Sequence, residues 1–243
     1  MILIFGGTTE GKIVAKLLEQ SGYAFCYSTK TETDYQPGEY RSGAFTKESL
    51  EAFCETRNIK LVIHASHPFA TELHKTIHDA VKVPVLRFER TYPEHIHHPL
   101  VKYFDDYNTA INYLLHNPVR LLALTGVQTI PKLKEYWQKH YTIFRILPRE
   151  SSVQQAIAAG FPEEQLLAEM PGDNNELQII QRFDIQGIIT KESGESGFLS
   201  IKIKAAQEAG IPILIIKRPS LPETFIPVHD EQELLNQLNR LLK

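Results

Sequence analysis

The sequence has 243 residues, of which 42% are hydrophobic, 23% charged and 9% aromatic, with 26 Lys and Arg against 29 Asp and Glu. This balance and the lack of a basic stripe disfavour a nucleic-acid-binding protein, and no apolar run approaches the roughly 18 residues of a membrane span. Two cysteines, Cys26 and Cys54, fit neither a disulfide framework nor a CxxC site, and Met1 to Phe5 lead into no signal-peptide pattern. We therefore expect a cytoplasmic protein without a membrane partner.

Short apolar runs alternate with longer amphipathic segments along the first half of the chain. This alternation predicts βαβ units around a parallel sheet. Strands are predicted near 2–5, 23–28, 60–65, 83–87 and 101–104, and helices near 10–21, 47–57, 70–81 and 106–116.

The same alternation restarts after the break at His116-Asn117-Pro118. Strands are predicted near 119–124, 142–146, 165–168, 187–190 and 212–216, and helices near 129–139, 150–159, 173–182, 198–209 and 230–242. The pattern predicts an α/β fold of two doubly wound, Rossmann-like domains with parallel sheets, residues 1–117 and 118–243. We expect ligands beyond the carboxyl ends of the strands, in an interdomain cleft.

A glycine loop follows the first predicted strand. Gly6-Gly7-Thr8-Thr9-Glu10-Gly11 stands between this strand and an amphipathic helix. Glycines allow close approach of a phosphate, and the N–H groups and dipole of a helix N-terminus favour an anion. The match to GxGxxG is partial, because Thr8 replaces the middle glycine. We predict a phosphate-binding loop; a tight turn without a ligand is the alternative.

The second strand ends in residues that bear on the choice of dinucleotide. Dinucleotide sites that take NAD carry an acidic residue there, which holds the ribose 2′-hydroxyl. In this sequence the end of the second predicted strand is Ser28-Thr29-Lys30. Two hydroxyls and a cation suit a 2′-phosphate and favour NADP, although nearby acidic residues leave a solvated loop as the alternative.

Polar residues also follow the next two strands. His64-Ala65-Ser66-His67-Pro68 ends one strand, and Arg87-Phe88-Glu89-Arg90 ends the other. A histidine there can orient a substrate or move a proton, and arginines can hold carboxylates in bidentate fashion. Structural roles, with the arginines paired to a neighbour such as Glu89, are an equal alternative.

Two turns in the second half of the chain also carry polar residues and glycines directly after predicted strands. Thr125-Gly126 follows one strand, Lys191-Glu192-Ser193-Gly194 follows another, and the next helix carries Lys202. Cations and hydroxyls at a strand end predict a site for an anionic ligand, although Glu192 and Glu195 oppose a pure phosphate site. Histidines near 74–78 and 95–98 lack the Glu of HExxH and any cysteine partner, so surface histidines are favoured over a metal site.

Six motifs in order, GGTTEG, SHPFA, RFER, TGVQTIPKL, KESGESG and IPILIIKRP, resemble the precorrin-6A reductase family of cobalamin biosynthesis over nearly the whole chain. The resemblance implies reduction of a ring double bond of precorrin-6A, or of its cobalt complex, with NADPH as the hydride donor. It also implies a tetrapyrrole substrate held between two Rossmann-like domains.

The motifs and this resemblance together assign the candidate site residues. Cofactor binding is assigned to Gly6, Gly7, Thr8, Thr9, Glu10, Gly11, Ser28, Thr29, Lys30, Ser66 and Pro68. Catalysis is assigned to His67, as proton donor, and to Lys191. Substrate binding is assigned to Arg87, Arg90, Thr125, Gly126, Ser193, Gly194 and Lys202.

Two other functions stay open, because a fold does not determine a function. One is a two-domain nucleotide-binding or sensing module without redox chemistry. The other is a sugar-nucleotide transferase, which also uses two stacked Rossmann-like domains. The hydroxyls and cation at Ser28-Thr29-Lys30 favour the NADPH-dependent reductase.

Overall fold

The computed structural model describes residues 1–90, 92–172 and 176–242. The elements begin with β1 (Ile2–Phe5), α1 (Thr9–Gln20), β2 (Phe25–Thr29), β3 (Glu39–Ser42), α2 (Lys47–Thr56), β4 (Leu61–His64), α3 (Thr71–Ala80) and β5 (Val85–Phe88). They continue with β6 (Val101–Phe104), α4 (Tyr107–His116), β7 (Leu121–Leu124), α5 (Lys134–Trp137), β8 (Thr142–Ile146), α6 (Glu150–Ala158), β9 (Leu166–Ala168), α7 (Glu176–Arg182), β10 (Gly187–Lys191) and α8 (Leu199–Ala209). The last elements are β11 (Ile213–Ile216), β12 (Phe225–Val228) and α9 (Glu231–Leu241). None of these helices is long and apolar enough to cross a membrane.

The described residues form two six-stranded sheets, with strand orders β12-β5-β4-β1-β2-β3 and β6-β11-β10-β7-β8-β9. All strand pairs in both sheets are parallel. The chain order reverses between β1 and β4 in the first sheet and between β7 and β10 in the second. The prediction of two doubly wound α/β sheets is confirmed, and these reversals are the places where such sheets bind ligands.

The two compact units are not the predicted halves of the chain. Unit 1 is Met1–Thr91 together with Pro219–Lys243, and unit 2 is Tyr92–Arg218. The predicted division into 1–117 and 118–243 is therefore corrected in two places: residues 92–117 belong to unit 2, and residues 219–243 belong to unit 1. The strand β6 pairs with β11 and therefore belongs to unit 2, while β12 returns to pair with β5 in unit 1. Pairing between strands so distant in sequence leaves no local signal.

The sheet of unit 1 is buried on both faces. Successive strand residues point to opposite faces, so Ile2 and Ile4 pack in one cluster and Leu3 and Phe5 in the other. The first cluster includes α1 and α9, and the second includes α2 and α3. In unit 2, buried residues of β7, β10 and β11 pack in one cluster with apolar residues of α7 and α8.

The elements differ from the predicted ones in three further respects. The strands β3 and β12 were not predicted, since β3 is polar and largely exposed and β12 contains Pro227 at a sheet edge. The predicted helix 129–139 is divided into a 3-10 turn at Val127–Thr129 and the short α5, because Pro131 has no N–H for a continuous helix. Residues 173–175 of the predicted helix 173–182 lie outside the described residues, and α7 begins at Glu176.

The return of α9 to unit 1 predicts the effect of a core substitution. Leu238 is fully buried in the cluster that contains Ile2 and Ile4, so Leu238→Ala should lower the free energy of unfolding by about 2–5 kcal/mol. Urea unfolding measures this change. The matched control is Asn236→Ala at an exposed position of the same helix, which should stay within about 0.5 kcal/mol. A Leu238→Ala variant as stable as the wild type would contradict the place of α9 in this core.

Candidate active site

The glycine loop lies at the chain reversal of unit 1, between β1 and α1. Gly7 has a φ of +85°, which favours glycine. A Cβ atom on Gly6 would lie 2.2 Å from a ring carbon of Tyr27, and one on Gly11 would lie 2.7 Å from the Cα of Gly6. Glycine is therefore required at Gly6 and Gly11 for close packing of the loop against β2 and the start of α1, and at Gly7 for the turn.

Thr8 connects this loop to the turn after β4. Its Oγ1 accepts a hydrogen bond from the Gly11 N–H at 3.0 Å and donates one to the Ala65 carbonyl at 2.6 Å. Thr8 is thereby the N-cap of α1. Gly7 and Thr9 are exposed, so the positive end of the α1 dipole lies at a surface that an anion can reach.

Glu10 and Arg90 contact each other. Arg90 Nε lies 3.2 Å from Glu10 Oε2, and both side chains are buried. Glu10 was predicted to bind cofactor and Arg90 to bind substrate, whereas the structure joins them in an ion pair between α1 and the end of β5. A carboxylate in the first turn of α1 is also favoured by the helix dipole.

The turn after β4 presents a histidine of defined tautomer. The Phe69 N–H donates to Nδ1 of His67 at 3.1 Å, so the neutral ring carries its proton on Nε2. His67 is half-buried, while Ser66 and Pro68 are buried. Ser66 Oγ lies 3.2 Å from Nδ1 of His64.

Arg87, predicted to contact a ligand, is fully buried instead. Its Nε donates to Glu89 at 2.6 Å, and its Nη1 donates to the carbonyls of Ser66 at 2.9 Å and His64 at 3.3 Å. The guanidinium is thus engaged by the polypeptide, and it holds the backbone that positions His67.

Two buried histidines beside Arg87 are kept neutral. Burial, and then the positive charge of Arg87, hold the pKa of His64 well below its usual value. The same two causes lower the pKa of His74 to about 4. The rings of His64 and His74 lie 4.9 Å apart, edge to face. Neither is a surface histidine, and both stay uncharged near neutral pH.

The end of β2 has two buried hydroxyls and one exposed lysine. The Oγ1 of Thr29 lies 2.8 Å from the Thr31 carbonyl and 2.8 Å from the hydroxyl of Tyr40, while Lys30 is exposed. The hydroxyl of Ser28 accepts a hydrogen bond from Arg41 Nη1 at 3.0 Å. Arg41 belongs to β3, and it was missed because β3 was not predicted.

The chain reversal of unit 2 brings together the turns after β7 and β10. The Thr125 hydroxyl is buried and lies 2.6 Å from that of Thr129. Gly126 has a φ of +82° with open space where a Cβ would be. Across this reversal, Lys191 is half-buried at the end of β10, and Ser193 and Gly194 are buried behind it.

A buried cationic cluster lies beside these turns. Arg145 Nη1 is 3.0 Å from Glu176 Oε1, and Lys202 Nζ donates to the Gly197 carbonyl at 2.7 Å. The pKa of Lys202 is lowered from 10.5 to about 7, first by burial and then by the positive charges of Arg145 and Lys191, against the opposing effect of Glu176. Among the described residues, Arg145, Lys191 and Lys202 bring positive charge close together, and positive charge attracts anions. Arg145 was missed, although its place near the carboxyl end of a predicted strand was an available signal.

Glu192 has a negative charge, which counted against an anionic ligand at this turn. Its carboxylate contacts His95 and the backbone of Arg218. Its Oε1 lies 2.8 Å from Nε2 of His95, and its Oε2 accepts from the Arg218 N–H at 2.9 Å. The ring of His95 stacks on Tyr103, 4.2 Å between centroids. In the part of the chain that the structure describes, no group of three or more His, Cys, Asp or Glu side chains is arranged to hold a metal ion.

Comparison with known proteins identifies a family and a fold. The family described as Precorrin-6x reductase CbiJ/CobK matches residues 1–239. The cobalt-precorrin-6A reductase of Methanocaldococcus jannaschii is 29% identical over 232 residues, covering 90% of this chain and 91% of that protein. The precorrin-6A reductase of Rhodobacter capsulatus is 26% identical over 232 residues, covering 91% and 89%. A solved structure described as CobK precorrin-6A reductase has a TM-score of 0.81 at 22% identity, over 98% of this chain and 96% of that one, which shows the same fold.

The lowered pKa of Lys202 predicts how stability changes with pH. Above about pH 7 the folded protein releases the Lys202 proton, while the unfolded chain keeps it up to about 10.5. The free energy of unfolding should therefore rise with pH in this window, relative to a Lys202→Met variant that has no such proton. Urea unfolding at pH 7, 8 and 9 measures the difference.

The matched control for this experiment is Lys204→Met. Lys204 is exposed on the same helix, 3.7 Å from Glu208. Its removal should shift stability by the same small amount at each pH. Parallel pH curves for the wild type and Lys202→Met would contradict a depressed Lys202 pKa.

Proposed function

The chain belongs to the precorrin-6x reductase family, and from that premise we propose that it reduces a ring double bond of precorrin-6A or cobalt-precorrin-6A with NADPH. Membership of the family makes it an oxidoreductase of cobalamin biosynthesis that acts on a ring C=C bond. The observation that carries the cofactor assignment is the glycine loop at the start of α1. Its packing leaves no room for side chains at Gly6 and Gly11.

The residues of unit 1 fit a dinucleotide. The exposed backbone at Gly7 and the N-terminus of α1 supply the bare surface and positive dipole that a pyrophosphate requires. Within this proposal, Gly6 to Gly11 hold the pyrophosphate, with Glu10 acting through its ion pair with Arg90. NADPH, when bound, supplies the hydride.

The turn after β4 is assigned to the nicotinamide end of the cofactor. Thr8 connects this turn to the glycine loop through the Ala65 carbonyl. Ser66 and Pro68 fix the path of the backbone in this turn. Arg87 holds the same backbone by donating hydrogen bonds to the carbonyls of His64 and Ser66. We propose that His67 delivers a proton from Nε2 to the ring carbon next to the hydride acceptor, since its Nδ1 accepts the Phe69 N–H, and that a proton from solvent replaces it on Nε2 as it leaves.

Unit 2 is assigned to the carboxylates of the macrocycle. The acetate and propionate groups of such a tetrapyrrole need cations and hydrogen-bond donors. Lys191, at the end of β10, is the cation we assign to direct contact, and Arg145 together with the protonated form of Lys202 adds positive charge nearby. Thr125, Gly126, Ser193 and Gly194 shape the two turns on either side of the chain reversal. The protein then contributes mainly orientation of the substrate.

A reducing, cytoplasmic setting completes the proposal. Cys26 and Cys54 are both free thiols, and burial raises the pKa of the Cys26 thiol to about 11. Such a thiol is a poor nucleophile at neutral pH. The substrate is a small molecule, so no macromolecular partner is required for turnover.

The function is tested by anaerobic oxidation of NADPH, followed by nicotinamide absorbance. Precorrin-6A and its cobalt complex are offered separately, with NADH as the control donor. Oxidation that depends on one macrocycle supports the proposal and identifies the substrate. If NADPH binds without turnover of either macrocycle, a non-redox nucleotide-binding module is favoured, and a preference for sugar nucleotides would favour a transferase.

Lys191→Met should weaken substrate binding without changing cofactor binding. Loss of one charge-assisted contact, worth about 1.5–3 kcal/mol, corresponds to about a tenfold to hundredfold fall in kcat/KM for the macrocycle, mainly through KM. Steady-state kinetics at saturating NADPH measure the change. The control is Lys204→Met, an exposed lysine of the same unit, which should keep the wild-type KM. An unchanged KM in Lys191→Met would remove Lys191 from the substrate site.

A further inference from the structure

Arg41 is a half-buried cation beside the end of β2. Its strand, β3, pairs with β2 so that Arg41 lies opposite Ser28 and Ser42 lies opposite Thr29. Because parallel strands end at the same edge of a sheet, Arg41 is close to the carboxyl edge at which the glycine loop also begins.

The guanidinium of Arg41 is held in place on one side only. Its Nη1 donates to Ser28 Oγ and to the Gly43 carbonyl, each at 3.0 Å. Its Cζ lies 3.7 Å from the centroid of the Phe45 ring, and that ring packs on Phe53 and Phe5. Stacking on an aromatic ring fixes the plane of an arginine and leaves its outer edge available.

The outer edge of this guanidinium has unused donors. Within residues 1–90, 92–172 and 176–242, neither Nε nor Nη2 of Arg41 makes a hydrogen bond, and no carboxylate lies within ion-pair distance. The nearby Glu39 pairs with Arg57 at the other end of β3. A fixed, partly desolvated cation without a carboxylate is suited to an anionic ligand.

Short contacts connect Arg41 to the glycine loop. The Gly6 N–H donates to the Ser28 carbonyl at 2.9 Å, and Ser28 Oγ accepts from Arg41. A Cβ on Gly7 would lie 3.7 Å from the methyl group of Thr29. A ribose attached to a pyrophosphate at Gly7 therefore reaches the end of β2, the place where dinucleotide folds read its 2′ position.

We propose that Arg41 binds the 2′-phosphate of NADPH and is the residue that sets the preference for NADPH over NADH. This inference rests on the proposed function, which supplies the cofactor. Ser28 and Thr29 are then positioning residues, since their hydroxyls bond to Arg41 and to the backbone of the adjoining loop. Lys30 is exposed and adds a mobile charge rather than a fixed contact.

The test compares ligands that differ only in the 2′-phosphate. Binding of 2′,5′-ADP and of 5′-AMP is measured by calorimetry, and binding of NADPH and NADH by nicotinamide fluorescence, for wild type, Arg41→Met and Arg41→Lys. The control variant is Arg57→Met, which removes another arginine of unit 1 at the opposite end of β3. Thermal unfolding of each variant accompanies the binding data.

We expect Arg41→Met to weaken 2′,5′-ADP and NADPH by about tenfold to a hundredfold, as for loss of a charge-assisted bond. Binding of 5′-AMP and NADH should change by less than about twofold on the same grounds. Arg41→Lys should recover part of the loss, and Arg57→Met should resemble the wild type. If Arg41→Met weakens all four ligands equally, or none, Arg41 is a structural residue and the inference is overturned. Wild-type protein that binds neither NADPH nor 2′,5′-ADP would overturn the proposed cofactor itself.

Discussion

One hydroxyl, that of Thr8, joins the two loops on which the candidate cofactor site depends. It accepts from the first turn of α1 and donates to the backbone after β4, so the glycine loop and the turn with His67 are positioned together. This contact exists because β1 and β4 are adjacent and end at the same edge of the sheet. Parallel topology thus places loops that are 57 residues apart in sequence within a single hydrogen bond of each other.

Both units bury arginines beside carboxylates. In unit 1 the buried arginines each have a nearby carboxylate, Glu89 for Arg87 and Glu10 for Arg90, and these pairs stabilise the ends of β4, β5 and α1. In unit 2 the buried Arg145 pairs with Glu176 at 3.0 Å, and both lie close enough to Lys202 to affect its pKa. The cost of burying charge is visible in the lowered pKa of Lys202.

Sequence patterns predicted the fold where strands are apolar and local, and they failed where pairing is distant or polar. The runs that became β1 and β7 are wholly apolar, and those that became β4 and β10 have apolar centres, as strands buried on both faces require. The polar β3 and the Pro-containing β12 carry no such signal, so Arg41 and the domain boundary were missed with them. The burial of Arg87 was not predicted either, because a sequence does not show that Glu89, two residues further along, accepts its Nε–H.

The discontinuity of unit 1 has a consequence for biosynthesis. A ribosome completes all of unit 2, Tyr92–Arg218, before it releases β12 and α9, which supply the edge strand and part of the core of unit 1. Unit 2 can therefore fold first, whereas domains generally fold in order from the amino terminus. Until the last residues emerge, β5 is an unpaired strand edge next to an uncovered apolar face. Truncations near residue 243 should therefore damage unit 1 more than unit 2.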